Sequence, residues 1–504
     1  MKKMLNFVAA FLLILHCSAI VAADSHSERI RFIYFNDFHS QNLPLKQDEV
    51  ASSSPLVGGA ATLAAYIDLF KQNFDSHVFV IDAGDDYQGS PICEITKGFS
   101  QVKILNVIMP DIMTIGNHEF DYGRDGINIL IENAKFPIVT TNILDKIRET
   151  YVGEKHLIRK FGNIRIGFIG LISNSMPKLT QEENLEGYTF LNTHLAARAT
   201  IEEIRDQVDL IVVVSHCGDV ADISLARKVE DIDIIIGGHS HKTLFKPLIK
   251  NNTIICQAGY KGKYVGILDI LVDVESKKIT KYQTWLEDTF VDNVQPNPLV
   301  KHIVDSLENS IGDKFTTVIG HLETPWVRGR REESNIGNWI ADAIREYEGT
   351  DVSIQNRNGI RKDQAGGDIA VKDIWEIMPF ANKLVSFELT GSEIKAMLEK
   401  NVAAGTDFML FSGLRYEWNT RAKPGERIQN ISISGRPLQV NTSYTICTND
   451  YLVNPNKFSD AFGLSRAGRT FEYSEQTIRE ILVEKVKAEK TIQSTTDGRI
   501  KIIR

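Results

Sequence analysis

The chain runs to 504 residues, of which 43% are hydrophobic and 24% charged, the balance of a soluble globular protein. That length exceeds what a single compact core supports, so two or three domains are expected. A formal net charge of −8 argues against non-specific nucleic-acid binding, which demands a basic face toward phosphate.

At the N-terminus Lys2 and Lys3 precede the apolar run Met4 to Leu15, and Val21-Ala22-Ala23 supplies small residues before Asp24. This is the layout of a secretory signal over residues 1–23, its apolar run being shorter than the roughly 20 residues of a spanning helix. Cleavage removes two lysines and no acid, so the mature chain is more acidic than the precursor. The product is expected to be secreted or periplasmic, with no stable membrane anchor after cleavage. Gly498 to Arg504 lacks a lipid-anchor tail. Cys17 leaves with the signal, while Cys93, Cys217, Cys256 and Cys447 allow up to two disulfides without fixing a pairing. Asn251, Asn430 and Asn441 each open an N-x-[ST] triplet.

From Ile30 to about Lys278 short apolar runs alternate with amphipathic stretches. Ile30 to Phe35, Val78 to Ile81, Met113 to Ile115, Pro137 to Val139, Ile164 to Leu171, Leu210 to Val214 and Ile232 to Ile236 are predicted strands. Ala60 to Asn73, Gly126 to Ala134, Leu195 to Gln207 and Ile223 to Val229 carry apolar residues at intervals of three to four and are predicted helices. Strand and helix in alternation predict a layered α/β domain with its sheet buried between helices. Around Val291 to Thr317 the pattern weakens and Pro296 and Pro298 interrupt it, which suits a boundary. Glu332 to Tyr347 reads as a connecting helix with Ile336, Trp339, Ile340 and Ala343 on one face. From Asp351 a second α/β unit follows, with apolar runs at Lys383 to Leu389, Gly413 to Trp418 and Ser443 to Thr448 and a last helix near Glu475 to Glu489. The expected division is a catalytic domain at 27–320, a linker at 321–349 and a second domain at 350–504.

Several of these strand ends run directly into metal-binding side chains, in the position where open α/β sheets keep their ligand sites. Asp37 and His39 follow the first strand, two apart and so on one side of an extended backbone. Asp85 follows Gly84, and Asn117 opens Asn117-His118-Glu119-Phe120-Asp121. His216 ends another strand, and His239 and His241 end the next. Mixed imidazole and carboxylate ligands suit zinc, manganese or iron and do not suit calcium. Two divalent ions sharing one carboxylate form the clamp used on phosphate esters. The expected ligands are Asp37, His39 and His241 at one ion and Asn117, His216 and His239 at the other, with Asp85 bridging. Water activated by the ions is expected to attack phosphorus in line. Zinc is favoured, with manganese or another transition metal as the alternative. His118 and Asp121 fall outside the ligand count and are expected to form a catalytic dyad, the carboxylate orienting an imidazole that stabilises phosphate or assists the departing alkoxide.

The segments N-D-F-H, G-D, G-N-H-E-F-D, S-H and G-G-H-S-H, in this order, resemble those of the secreted 5'-nucleotidase and UDP-sugar hydrolase family of metallophosphatases. Each piece recurs across calcineurin-like phosphoesterases, whereas their order together with the second domain covers nearly the whole mature chain. The resemblance implies a four-layer αββα catalytic domain with a dimetal site, a linking helix, and a second α/β domain that holds the nucleoside, the active site lying between the domains. Asn356 to Arg361 resembles the family's N-x-G-G-[IV]-R loop, which implies that Arg361 and Arg357 contact the substrate phosphate; forked arginine donors suit that task. Gly405 to Gly413 resembles the segment bearing one nucleobase-stacking ring, implying Phe408 or, failing that, Phe411. Asn449 to Leu452 resembles the segment bearing the other ring, implying Tyr451, and Asp460 resembles the carboxylate that binds ribose hydroxyls. The chain departs from the family at Leu410, where a polar residue is usual, and in the loop Asn454 to Ser459, which lacks the family's glycine pair.

The implied activity is hydrolysis of nucleoside 5'-monophosphates to nucleoside and phosphate. UDP-sugar or dinucleotide pyrophosphate hydrolysis, or 2',3'-cyclic phosphodiesterase and 3'-nucleotidase action, is the alternative on the same scaffold. A secreted binding protein without catalysis is the alternative outside it.

Overall fold

A computed structural model describes residues 26–403 and 407–503. The expected signal at 1–23 lies outside them, as do Gly405 and Thr406. Among the described residues no helix is long and apolar enough to cross a membrane. The chain forms two compact units, the first running to Gln47 and through Pro55–Ser310, the second comprising Asp48–Ser54 and Ile311–Arg504.

In the first unit the chain order is β1 (Ser27–Phe35), α1 (Ala60–Gln72), β2 (His77–Asp82), α2 (Phe99–Ile108), β3 (Ile112–Met113), α3 (Gly123–Asn133), β4 (His156–Phe161), β5 (Ile164–Ile172), α4 (Thr193–Ile204), β6 (Leu210–His216), α5 (Asp219–Lys228), β7 (Ile234–Gly237), β8 (Leu248–Lys250), β9 (Thr253–Cys256), β10 (Tyr264–Asp273), β11 (Ile279–Asp288) and α6 (Pro298–Ser310). One sheet has the order β11-β10-β1-β2-β3 and the other β8-β9-β7-β6-β5-β4. Within them β1, β2 and β3 run parallel, as do β5, β6, β7 and β9.

Alternation along β6 shows how the layers stack. Val212 and Val214 join Ile30, Phe32, Ile166 and Ile236 in the core between the two sheets. Ile211 and Val213 point the other way, into a core with Ala197, Ile201 and Leu225 of α4 and α5. Both faces of these strands are therefore covered, which is why they read as unbroken apolar runs.

Arg31 interrupts the apolar run of β1, and its side chain is 1% exposed. It stands directly across from Asp269 of β10 and forks onto that carboxylate at 2.6 Å through both Nε and Nη2. Its Nη1 donates to Phe70 O of α1 at 3.2 Å, and its guanidinium lies 4.2 Å from the Phe74 ring centroid. The pair thus fixes the register of β1, the strand that leads into Asp37 and His39. The sequence reading passed over its partner strand β10 and over β11.

In the second unit α7 (Asn335–Glu348), β12 (Val352–Asn356), β13 (Lys383–Thr390), α8 (Gly391–Asn401), β14 (Met409–Ser412), β15 (Leu414–Asn419), β16 (Ile428–Ile433), β17 (Ser443–Asn449), β18 (Glu472–Thr477) and α9 (Ile478–Glu489) follow in order. A five-stranded sheet has the order β14-β12-β17-β13-β18. The helix expected to connect the domains is α7, and it belongs to the core of this unit: Ile336, Trp339, Ile340, Ala343 and Ile344 all lie in it. So wide an apolar stripe requires a partner surface, which an exposed linker does not provide. The passage between units falls at Ser310–Ile311 rather than through a linker at 321–349.

Cys93, Cys217, Cys256 and Cys447 are all free thiols. Cys256 sits in the core between the sheets and Cys447 in that of the second unit, so neither of the disulfides that four cysteines allow is formed among the described residues. Asn251, Asn430 and Asn441 are exposed.

Arg31→Ala leaves Asp269 buried and uncompensated, and is expected to lower the unfolding free energy by roughly 3–5 kcal/mol. Urea denaturation should show a lower midpoint at an unchanged slope; a parental midpoint would remove the pair from this role.

Candidate active site

The polar strand ends of the first unit converge. Asp37, His39 and His241 form one group whose ligand atoms lie within 4.8 Å of one another; His39, Asp85 and His118 form a second, and Asp85, His216 and His239 a third. His241 Nε2 lies 3.2 Å from Asp37 Oδ1 and 3.0 Å from His39 Nε2. His216 Nε2 lies 3.0 Å from Asp85 Oδ2. Asn117 does not cap the short turn that follows it; its Oδ1 lies 2.7 Å from His239 Nδ1. All the side chains expected as ligands are thus brought together, with Asp85 common to two groups. His118, a member of the second group that was not expected as a ligand, makes a 2.7 Å hydrogen bond through Nδ1 with Asp121 Oδ2, and its Nε2 stands 4.0 Å from Asp85 Oδ2.

The backbone reaches this arrangement by a route the sequence reading did not foresee. Asp37 and His39 were expected on one side of an extended segment, and His239 and His241 directly at a strand end. Their φ angles are instead 51°, 50°, 73° and 55°, and Asp85 has φ 62°. Left-handed backbone is strained for residues with side chains, so each ligand loop must be held from behind. Glu119 holds the Asp85 loop: its buried carboxylate accepts from the backbone N–H groups of Asp85, Asp86, Tyr87 and Gly116 at 3.1, 2.8, 3.1 and 2.6 Å. Asn36 donates to Asp37 Oδ2 at 2.6 Å and to Gly259 O at 2.7 Å. Gln257 accepts from Ser240 Oγ at 2.9 Å and Lys242 N at 2.6 Å, and donates to Gly238 O. Gly116 is required because a Cβ there would meet Asp85 Oδ1 at 2.1 Å. The sequence signalled Glu119 only through its place between His118 and Asp121, and gave no signal for Gln257.

Burial by itself would raise the Asp37 carboxyl, but the imidazoles of His241 and His216 outweigh it and hold it below the usual range. Asp85 lies well below that range, since His216 and His118 outweigh burial. Burial would likewise depress His216, yet Asp85 and Asp37 raise it to about 10. His239 is depressed to about 4 by burial and by the His216 charge. Behind the ligands burial raises Asp82 to about 7. This much buried carboxylate calls for positive charge. His216 Nε2 is buried without a hydrogen-bond partner although Asp85 is 3.0 Å away, and two imidazole nitrogens face each other across 3.0 Å. Donors that converge on common points rather than on one another fit divalent cations.

In the second unit Arg357 is half-buried; its Nε donates to Gly329 O and its Nη1 to Asn358 Oδ1 at 3.2 Å. Burial and the charge of Arg328 lower its pKa. Arg361 follows on the same loop, with Nη1 3.4 Å from Asn358 O. The loop is tied to Asp407, which accepts from Asn356 Nδ2 at 2.9 Å and Asn358 N at 3.2 Å. Tyr451 is half-buried, with Lys457 Nζ 5.0 Å from its ring centroid. Asp407 and Lys457 were not singled out from the sequence. Asp460 is exposed, on the short helix Phe458–Phe462.

Phe408 does not present a ring for stacking. It is 2% exposed, in the core of this unit with Phe411, 6.3 Å from Trp418. Pairing of β14 with β12 draws the segment inward. Leu410 packs against α7, where a Cβ on Gly337 would meet it at 2.1 Å. A polar side chain at 410 would be buried there.

The family model of calcineurin-like phosphoesterases matches residues 30–243, the span that carries every member of the cluster, and that of the 5'-nucleotidase C-terminal domain matches residues 318–462. The chain belongs to the 5'-nucleotidase family of calcineurin-like phosphoesterases. It is accordingly a hydrolytic enzyme. Among relatives of this family it is 27% identical to the trifunctional nucleotide phosphoesterase protein of Bacillus subtilis over 84% of its own length and 33% of that protein's, so it spans about a third of that relative. It is 26% identical to the apyrase of Tabanus yao over 100% of both chains. The crystal structure of a 5'-nucleotidase precursor from Thermus thermophilus superposes with a TM-score of 0.84 at 25% identity, covering 94% of this chain and 99% of that one.

Glu119→Ala strips several buried N–H groups of their acceptor at about 1–3 kcal/mol each. A large fall in melting temperature is expected, together with loss of bound metal on elemental analysis. Parental values of both would show that the Asp85 loop holds itself.

Proposed function

We propose that this enzyme is an extracytoplasmic 5'-nucleotidase that hydrolyses nucleoside 5'-monophosphates, with two divalent cations held by Asp37, His39 and His241 and by Asn117, His216 and His239, Asp85 bridging. The observation that carries this reading is the sharing of Asp85 and His39 among three overlapping ligand groups. A cation pair supplies Lewis-acid polarisation of the phosphate and a nucleophile at neutral pH. The chain's own residues do the rest. Asp121 accepts the Nδ1–H of His118, which fixes the tautomer and leaves Nε2 facing the cluster. As the imidazolium, with Nδ1–H held by Asp121, His118 carries a second proton on Nε2 and donates it to a phosphate oxygen or to the departing 5'-oxygen. Arg357 and Arg361 recognise phosphate, Tyr451 recognises the base, and Asp460 the ribose. The signal layout at residues 1–23 supports the location.

Pyrophosphate hydrolysis is a second reading, favoured by Phe408 being buried and Lys457 standing over Tyr451, which together give the recognition unit more cation and less aromatic surface than a nucleoside alone requires. Rates on AMP, UDP-glucose and 2',3'-cyclic AMP, with zinc or manganese restored to metal-depleted protein, separate the readings; AMP is expected to be fastest.

His118→Ala is expected to lower kcat on AMP by about 10²–10⁴-fold with metal content unchanged, whereas Asp85→Asn should lose both metal and activity. Parental turnover by both variants would make the assigned roles wrong.

A further inference from the structure

His241 is held differently from His216 and His118. His216 is fixed through Nδ1 by Ala83 O at 2.7 Å, and His118 through Nδ1 by Asp121. His241 makes its polar contacts through Nε2, with Asp37 and His39, and among the described residues no hydrogen bond fixes its Nδ1. A histidine that ligates a metal ordinarily has its second nitrogen held by a partner. In place of one, the ring of Tyr260 lies parallel to His241, 5.0 Å between centroids and 11° between planes.

Tyr260 is itself well anchored. It lies in the segment after β9 that braces both ligand loops. Ala258 N donates to Asn36 Oδ1 at 2.8 Å, Gly259 N to Lys242 O at 2.9 Å and Lys261 N to Asp37 O at 2.7 Å. The Lys263 ammonium lies 5.4 Å from the Tyr260 ring centroid, a cation–π contact that further restrains the ring. A planar wall so restrained opposes rotation of the His241 ring about its Cβ–Cγ bond, which keeps Nε2 aimed at Asp37 and His39. His241 needs such a wall: its side chain is 26% exposed, against 3% for His39 and 0% for His216.

We propose that Tyr260 is a positioning residue, its ring face aligning His241 and setting how tightly the Asp37–His39–His241 group holds its cation. The inference rests on the reading that His241 is a ligand. Its role goes through the ring face and not the hydroxyl, so Phe should substitute and a bulky aliphatic residue should not.

Metal-depleted parent, Tyr260→Phe, Tyr260→Leu and His241→Ala are titrated with zinc at chelator-buffered free concentrations, and bound ions per chain are counted by elemental analysis. Parent and Tyr260→Phe are expected to bind both ions alike, while Tyr260→Leu binds one at parental affinity and the other roughly 10–100-fold more weakly. His241→Ala should lose that same ion. Parental affinity for both ions in Tyr260→Leu overturns the proposal, as does equal weakening in Tyr260→Phe. A lower melting temperature of metal-free Tyr260→Leu with both affinities intact assigns Tyr260 to packing and also overturns it. If His241→Ala keeps both ions at parental affinity, it is the ligand reading that fails.

Discussion

Two carboxylates that are almost completely buried, Asp37 and Asp85, stand among imidazoles at the ends of parallel strands, and much of the first unit follows from keeping them there. Burying a carboxylate without compensation costs several kcal/mol. The protein's own compensation is incomplete, since protonating His216 supplies one charge against the two carboxylates. A divalent cation, which the His and Asp groups are able to hold, would complete the balance.

Holding such groups together has a backbone consequence. Ligands from separate strand ends point at common centres only if the chain turns back at once, and here it does so through left-handed residues at Asp37, His39, Asp85, His239 and His241. Strain of about 1–3 kcal/mol per such residue persists only where the surroundings over-determine the geometry. Glu119, Asn36 and Gln257 are those surroundings: Glu119 and Gln257 spend buried side chains on backbone groups of the loops, and Asn36 ties the Asp37 carboxylate to the backbone of Ala258 and Gly259. Local strain, buried polar braces and the register fixed by Arg31 and Asp269 are therefore parts of one device.

This explains what could be read from the sequence. That these side chains would gather was legible because residue type carries the metal chemistry and strand periodicity locates the ends. The local conformation was not, because a left-handed Asp or His has no signature in the one-letter string. Gln257 and Tyr260 act on ligands distant in the chain, so no spacing rule reaches them. The connecting helix was misread for a related reason: the stripe from Ile336 to Ala343 reports that α7 is buried, not against what.

The second unit obeys a looser constraint. Among its described residues nothing resembles the charge demand of the cluster, so a position can trade a polar group for packing if a neighbour changes with it. Leu410 against Gly337 is such a trade: the glycine opens the surface of α7 and the leucine fills it, while Phe408 sinks into the core. The polar character moves to Asp407, which ties down the arginine loop, and to Lys457 over Tyr451. The cluster of the first unit is set by electrostatics that admit few residue types, whereas the second unit is set by packing that admits many. Within one family, the second should therefore diverge while the first stays fixed.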